Sequence, residues 1–158
     1  MNNIDDWVWE RSKYWWDLIN RSYHTLYEMP VIEIDDTPRR RVGYCTKKGK
    51  DIRVIFYEPY IKTVGEKYDQ TIAHELVHAH NFSFYNRNVG HSEEWKAGMR
   101  KIGLKPIVRS NYGVILGHHS YQCKCGQMLY FGKTQWKRLG TGERWYRCLN
   151  CNNIITKQ

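Results

Sequence analysis

The chain has no stretch near the roughly eighteen consecutive apolar residues that a membrane-spanning helix needs, so no membrane role is expected. Its start, Met-Asn-Asn-Ile-Asp-Asp, lacks the basic-then-apolar order of a secretory signal. An intracellular protein, in the cytoplasm, nucleoid or nucleus, is the expectation. Glycine loops that could cradle a phosphate are scarce, which argues against phosphoester chemistry. Acidic residues are almost missing from the last third. Residues 105–158 hold Glu143 alone against 9 Lys/Arg, a balance of +8, whereas residues 1–104 hold 15 Asp/Glu against 16 Lys/Arg, a balance of +1. That asymmetry predicts a C-terminal segment that meets a polyanion, with a merely solvated basic surface as the plainer reading. Five cysteines in a reducing compartment read as metal ligands plus one spare thiol rather than as disulfides.

What is present supports a fold. With 158 residues, 41% hydrophobic and 15% aromatic, the chain can pack one ordinary domain and a small appendage. Residues 5–28 predict a helix with a stripe of Trp15, Leu18, Ile19, Ser22 and Leu26, stopped by Pro30. Residues 31–34 suggest a short strand. Residues 40–46 and 51–57 suggest a hairpin, with Val54 and Phe56 on one side and Ile55 and Tyr57 on the other. A helix is expected over 66–82, buried along Ile72, Leu76 and Ala79. Another starts at Ser92, carries Trp95, Met99 and Ile102 on one face, and ends at Gly103. The fold class is α+β, helices on a small antiparallel sheet, followed by a small cysteine-bearing β segment. The division falls into 1–104 and 105–158, with the boundary near 105–117.

The chemistry centres on His74-Glu75-Leu76-Val77-His78. Residues i and i+4 share one helix face, so both imidazoles can reach one metal ion while the glutamate faces its water. With this composition the pattern, counting either acidic residue at its second position, arises by chance at about 0.03 per chain, so context must support it. A catalytic zinc takes three protein ligands. His80 points around the helix from His78 and reads as an exposed polar residue, while His118 and His119 lie past the expected boundary. His91 is the best third ligand, since it follows a turn-rich loop and precedes a new helix. The compact spacing of metzincin sites is excluded by the thirteen positions between His78 and His91. Glu75 is the expected general base. For oxyanion stabilisation Tyr112, Tyr85 and a backbone amide remain equal candidates. The plainer reading of the motif is a solvated, salt-bridged helix face.

Cys123-Lys124-Cys125 and Cys148-Leu149-Asn150-Cys151 suit a closed, tetrahedral structural zinc, while Cys45 reads as a buried thiol on the hairpin. Lys124, Lys133, Lys137, Arg138, Arg144 and Arg147 could bind phosphates, with Trp136 and Trp145 stacking on bases. Equally, the tryptophans could fill the small core of this segment.

Taken in order, Arg41-Val42-Gly43-Tyr44-Cys45, Glu58-Pro59, Thr71 to Ala79 and Gly90-His91-Ser92-Glu93-Glu94-Trp95 resemble the SprT-like/Spartan metalloproteases. The likeness runs from about residue 10 to the C-terminus. It implies a zincin-type protease domain with zinc on His74, His78 and His91, Glu75 as acid/base, and a C-terminal zinc ribbon. It also implies cleavage of proteins bound or crosslinked to DNA, while the cations and tryptophans between the cysteine pairs suit single-stranded or junction forms. Serine at 92 departs from the Gly-His-Gly that the family often has. The expected cofactors are one catalytic and one structural Zn2+. Two other readings stand beside a DNA-associated endopeptidase: a non-catalytic nucleic-acid-binding protein, such as a transcription or packaging factor, and a metal-dependent hydrolase of another bond.

Overall fold

The computed structural model describes residues 3–110, 112, 119–148 and 150–156. The first helix, α1 (Ile4–Tyr23), opens on Asn3, whose side chain accepts from Asp5 N at 3.0 Å, with Asp5 and Asp6 complementing the positive end. It stops well before Pro30. His24 adopts a left-handed conformation (φ 53°), and the next residues turn back onto the helix. The Asn20 side chain secures that turn, donating to Tyr27 O at 3.0 Å and accepting from Thr25 Oγ1 at 2.8 Å; Trp16 Nε1 also donates to Tyr27 O. Leu26, expected on the buried stripe, is therefore 98% exposed. The hydrophobic period continued past the helix, but the local polar bonds ended it.

Three strands follow: β1 (Val31–Asp35), β2 (Gly43–Lys48) and β3 (Asp51–Tyr57). The hairpin of β2 and β3 is antiparallel, as expected, but β1 lies on the other side of β3 and parallel to it. The sheet is thus mixed rather than antiparallel. Its order, β1-β3-β2, puts the most apolar strand in the centre, where Val54 and Phe56 are fully buried. The hairpin turns at Gly49, whose positive φ (61°) suits glycine.

An unanticipated short helix, α2 (Glu58–Val64), begins directly after β3 with Pro59 in its first turn. A single 3-10 turn (Gly65–Tyr68) leads into α3 (Asp69–Phe84). α3 is the central element. It packs against the sheet, α1 and α4 (Glu93–Lys101), so residues on nearly every face are buried. Ile72, Leu76 and Ala79 are inaccessible, as anticipated. His80, expected to be exposed, is instead fully buried. The face carrying it meets the underside of α1, where Trp16, Tyr23, Tyr27 and Phe84 surround the ring and Thr25 Oγ1 lies 2.9 Å from Nε2.

Toward the C-terminus, β4 (His119–Gln122) pairs with β5 (Met128–Phe131), and β6 (Tyr146–Arg147) with β7 (Ile154–Ile155). Between them the expected β-like insert holds a helix, α5 (Lys133–Gly140), whose entry is stabilised by Gln135 accepting from Gly132 N at 3.1 Å. A second small core joins Leu129, Phe131, Leu139 and Ile155 to Cys123 and Cys148. This segment contacts the first: Gln127 Nε2 donates to Thr63 O at 2.9 Å, and Tyr130 packs on the main core. Of the expected boundary at 105–117, residues 111 and 113–117 lie outside the described residues, as does His118. Among the described residues no helix is long and apolar enough to cross a membrane.

Candidate metal centres

The helical repeat places His74 and His78 on one face of α3, and a loop returns the chain so that His91, just before α4, meets them. Their Nε2 atoms lie 3.2 Å (His74–His78), 3.1 Å (His78–His91) and 3.0 Å (His74–His91) apart. The edge of a tetrahedron of imidazole nitrogens around zinc is about 3.3 Å, so the three fit one ion. The donor chemistry agrees. Burial lowers His74 to about 4 and His78 to about 3, and it lowers His91 too, which keeps all three rings neutral and able to ligate. Trp95 is the floor beneath them. Fully buried, its ring centroid lies 4.5, 5.4 and 4.7 Å from those of His74, His78 and His91, and its indole N–H donates to His74 O at 3.4 Å.

Glu75 is almost buried beside this group, and burial raises its carboxyl to about 8 while Arg41 opposes the rise. Two contiguous hollows meet here. One of about 350 Å3 holds Arg40, Arg41, Gly43, Glu75, His91 and Arg109 in its wall; the other, of about 270 Å3, holds Gly43, Tyr44, Cys45, His74 and His78. The wall opposite α3 is therefore β2, an edge strand. Gly43 permits the approach, and Cys45 faces the cleft as a partly buried thiol whose ionisation burial suppresses. Val42 O accepts from the buried Tyr68 hydroxyl, which also accepts from Tyr57 N. Of the oxyanion candidates, Tyr112 is engaged with Thr71 and Lys67 O and stacked on Tyr68, and neither it nor Tyr85 lines the cleft.

Cys123, Cys125, Cys148 and Cys151 converge so that their sulfurs all lie within 4.8 Å of one another. The shorter separations, 3.5 Å for Cys123–Cys151 and 3.6 Å for Cys125–Cys148, are far from a disulfide and near the roughly 3.8 Å edge of a zinc tetrathiolate. Asn150 Nδ2 donates to Cys125 Sγ at 3.6 Å. Lys124, Lys133, Lys137, Arg138, Arg144 and Arg147 are exposed around this group, Arg147 also donating to Asn152 O. The tryptophans separate. Trp136 is half-buried, stacked on His119 at 5.0 Å and tilted over Phe131, while Trp145 is 71% exposed.

Sequence reasoning placed Trp95 on a buried stripe and in a run that resembles the family, without linking it to the histidines. Its spacing of four from His91 was the available signal that it also backs the third histidine. Arg41 and Gly43 entered only through the family resemblance; no periodicity revealed that they would face Glu75.

An α+β frame that carries a helix-borne histidine group and a separate cysteine group defines a protein with two candidate metal-binding sites. The SprT-like family profile matches residues 13–112, and the chain belongs to that family. It is similar to Protein SprT of Erwinia tasmaniensis, with 31% identity over 91 residues, 55% of this chain and 53% of that protein. Protein SprT of Klebsiella pneumoniae strain 342 is 27% identical over 94 residues (57% and 56%), and that of Escherichia fergusonii 28% over 92 (56% and 55%). The chain spans about half the length of these curated relatives. No solved structure matches it significantly.

Proposed function

We propose that the chain is a zinc-dependent endopeptidase that cuts proteins held on DNA. The observation behind the reading is the buried Glu75 carboxylate beside three convergent, neutral imidazoles. His74, His78 and His91 would hold a zinc ion, which would supply a Lewis acid for activating water at neutral pH. Glu75, buried beside the three histidines, would take the proton of the attacking water and return it to the leaving amine. The free edge of β2 offers unpaired backbone groups along which an extended polypeptide lies across the cleft. The cysteine group holds a structural zinc, and the exposed cations around it, with Trp145, hold DNA in single-stranded or junction form. Proteins on the same DNA are then cut because they are near, by effective concentration rather than sequence recognition.

The test is cleavage of a basic protein by the zinc-supplemented chain, with and without DNA. DNA-stimulated cleavage is expected, and Glu75→Gln should reduce it by at least about a hundredfold with zinc retained. Full activity in Glu75→Gln would remove the mechanism. DNA binding without cleavage in the wild type would leave a non-catalytic nucleic-acid-binding protein.

A further inference from the structure

Among the described residues the sheet has two unpaired edges, and the cleft lies on only one of them. The other is the outer edge of β1, where no strand pairs among the described residues. A groove of about 970 Å3 runs along it, between β1 and the first turns of α1. Its wall is apolar, made of Ile32, Ile34 and Ile55 with the ring of Trp9, which is 49% exposed. Its rim is acidic, with Asp5 and Asp6 from α1 and Asp35 and Asp36 from the end of β1. None of these four aspartates has an ion-pair partner among the described residues, although Arg39 is near enough to act on Asp35. Two more carboxylates reach the groove already paired, Glu33 with Arg53 at 2.8 Å and Glu58 with Lys62 at 3.0 Å. Among the described residues no lysine or arginine lines it, in a chain whose net charge is +9.

We infer that this groove docks an extended, lysine- and arginine-rich segment of a partner protein, added as a strand to the outer edge of β1. An open edge binds backbone whatever its sequence, and alternate side chains then decide which segment stays. Here one set meets the face of Ile32 and Ile34. The other meets the face of Glu33, Asp35 and Ile55, where the rim aspartates attract cations and repel phosphates. Trp9 adds a ring face on which a cation can rest. The basic side chains of the C-terminal segment are a poorer match, because they sit on α5, in turns and on a two-residue strand rather than in an extended run. The groove also leads toward the cleft. Asp35 is in register with Tyr57, and Gly43 with Phe56, so groove and cleft meet the same end of β3, about 10 Å or two strand spacings apart. That the docked segment belongs to a substrate rests on the endopeptidase reading; that it docks does not.

The experiment uses the full Glu75→Gln chain in zinc-containing buffer and a fluorescein-labelled dodecapeptide in which lysine alternates with leucine and threonine. Saturable binding is expected, weakened about tenfold by Asp6→Asn/Asp35→Asn/Asp36→Asn and lost when alternate peptide nitrogens are methylated. Circular dichroism should show the variant folded as the parent is. Equal binding by the triple variant, or by a peptide with glutamate in place of lysine, would overturn the inference. So would a triple variant that loses self-association in sedimentation yet keeps peptide binding, since the occupant would then be a second copy. Cleavage of a short uncharged peptide by the Glu75-containing triple variant reports on the endopeptidase reading alone, because none of the three aspartates lines the cleft and such a peptide has no cation for them to hold.

Discussion

Gly43 and Glu75 lie so close that a methyl group on the glycine would sit 2.8 Å from Glu75 Cγ and 3.1 Å from its Oε1. Thr71 Cγ2, at 3.2 Å, blocks the alternative. The strand wall of the cleft thus sets where the carboxylate can be. Gly43→Ala should turn Glu75 out of place and lower cleavage about tenfold to a hundredfold, with metal content unchanged. Metal analysis beside kinetics checks this. A variant of normal activity would show that Glu75 tolerates displacement.

His91 is the most exposed of the three histidines and sits on a loop, so its loss should leave the fold intact. His91→Ala should lose the metal of the histidine group and keep that of the cysteine group. Elemental analysis should therefore show two equivalents falling to one. An unchanged metal content would remove His91 from the site.

Cys148 is wholly buried within the second core. Cys148→Ser should cost the metal of that group and, since so small a segment buries little else, most of its stability. Hydrogen exchange should rise sharply across 119–156 while α3 stays protected. Equal loss of protection in α3 would show that the two segments fold as one unit.

His80 gives the protein an acid-sensitive core. Burial lowers its imidazole from 6.5 to about 4, so the unfolded chain binds the extra proton first as pH falls. Its contribution to stability is therefore full above about 6.5 and declines toward 4. His80→Gln should flatten the stability profile over that window relative to the wild type, at a cost of about 1–3 kcal/mol near neutrality from the altered Thr25 contact and packing. Denaturant melts at several pH values measure both, and parallel profiles would assign the acid sensitivity elsewhere.

The site was legible where spacing carries geometry. His74 and His78 follow from the helical repeat, and His91 from a loop that must double back. The cysteine pairs were legible for the same reason. What escaped was decided by contacts remote in sequence. His80 looked exposed because its burial depends on α1, some fifty residues away. The parallel placement of β1 depends on which side of β3 remains open once the hairpin has formed. α1 ended early because Asn20 satisfied the following turn, something that a hydrophobic period cannot reveal. The helix between the cysteine pairs was hidden behind residues that read equally well as strand.

Asp69 and His80 stand near the two ends of α3, and both are gripped by the α1 unit. Arg11 and Trp15 hold the Asp69 carboxylate, and Thr25 with its aromatic neighbours holds the imidazole. Between these fixed points the helix can neither slide nor spin. A slip of one residue would rotate every side chain by about 100° and carry His74 and His78 away from His91. The helix that bears the ligands is therefore indexed like a shaft keyed at both ends. Changes of length between 69 and 80 should be forbidden, while the loop before His91 remains open to variation.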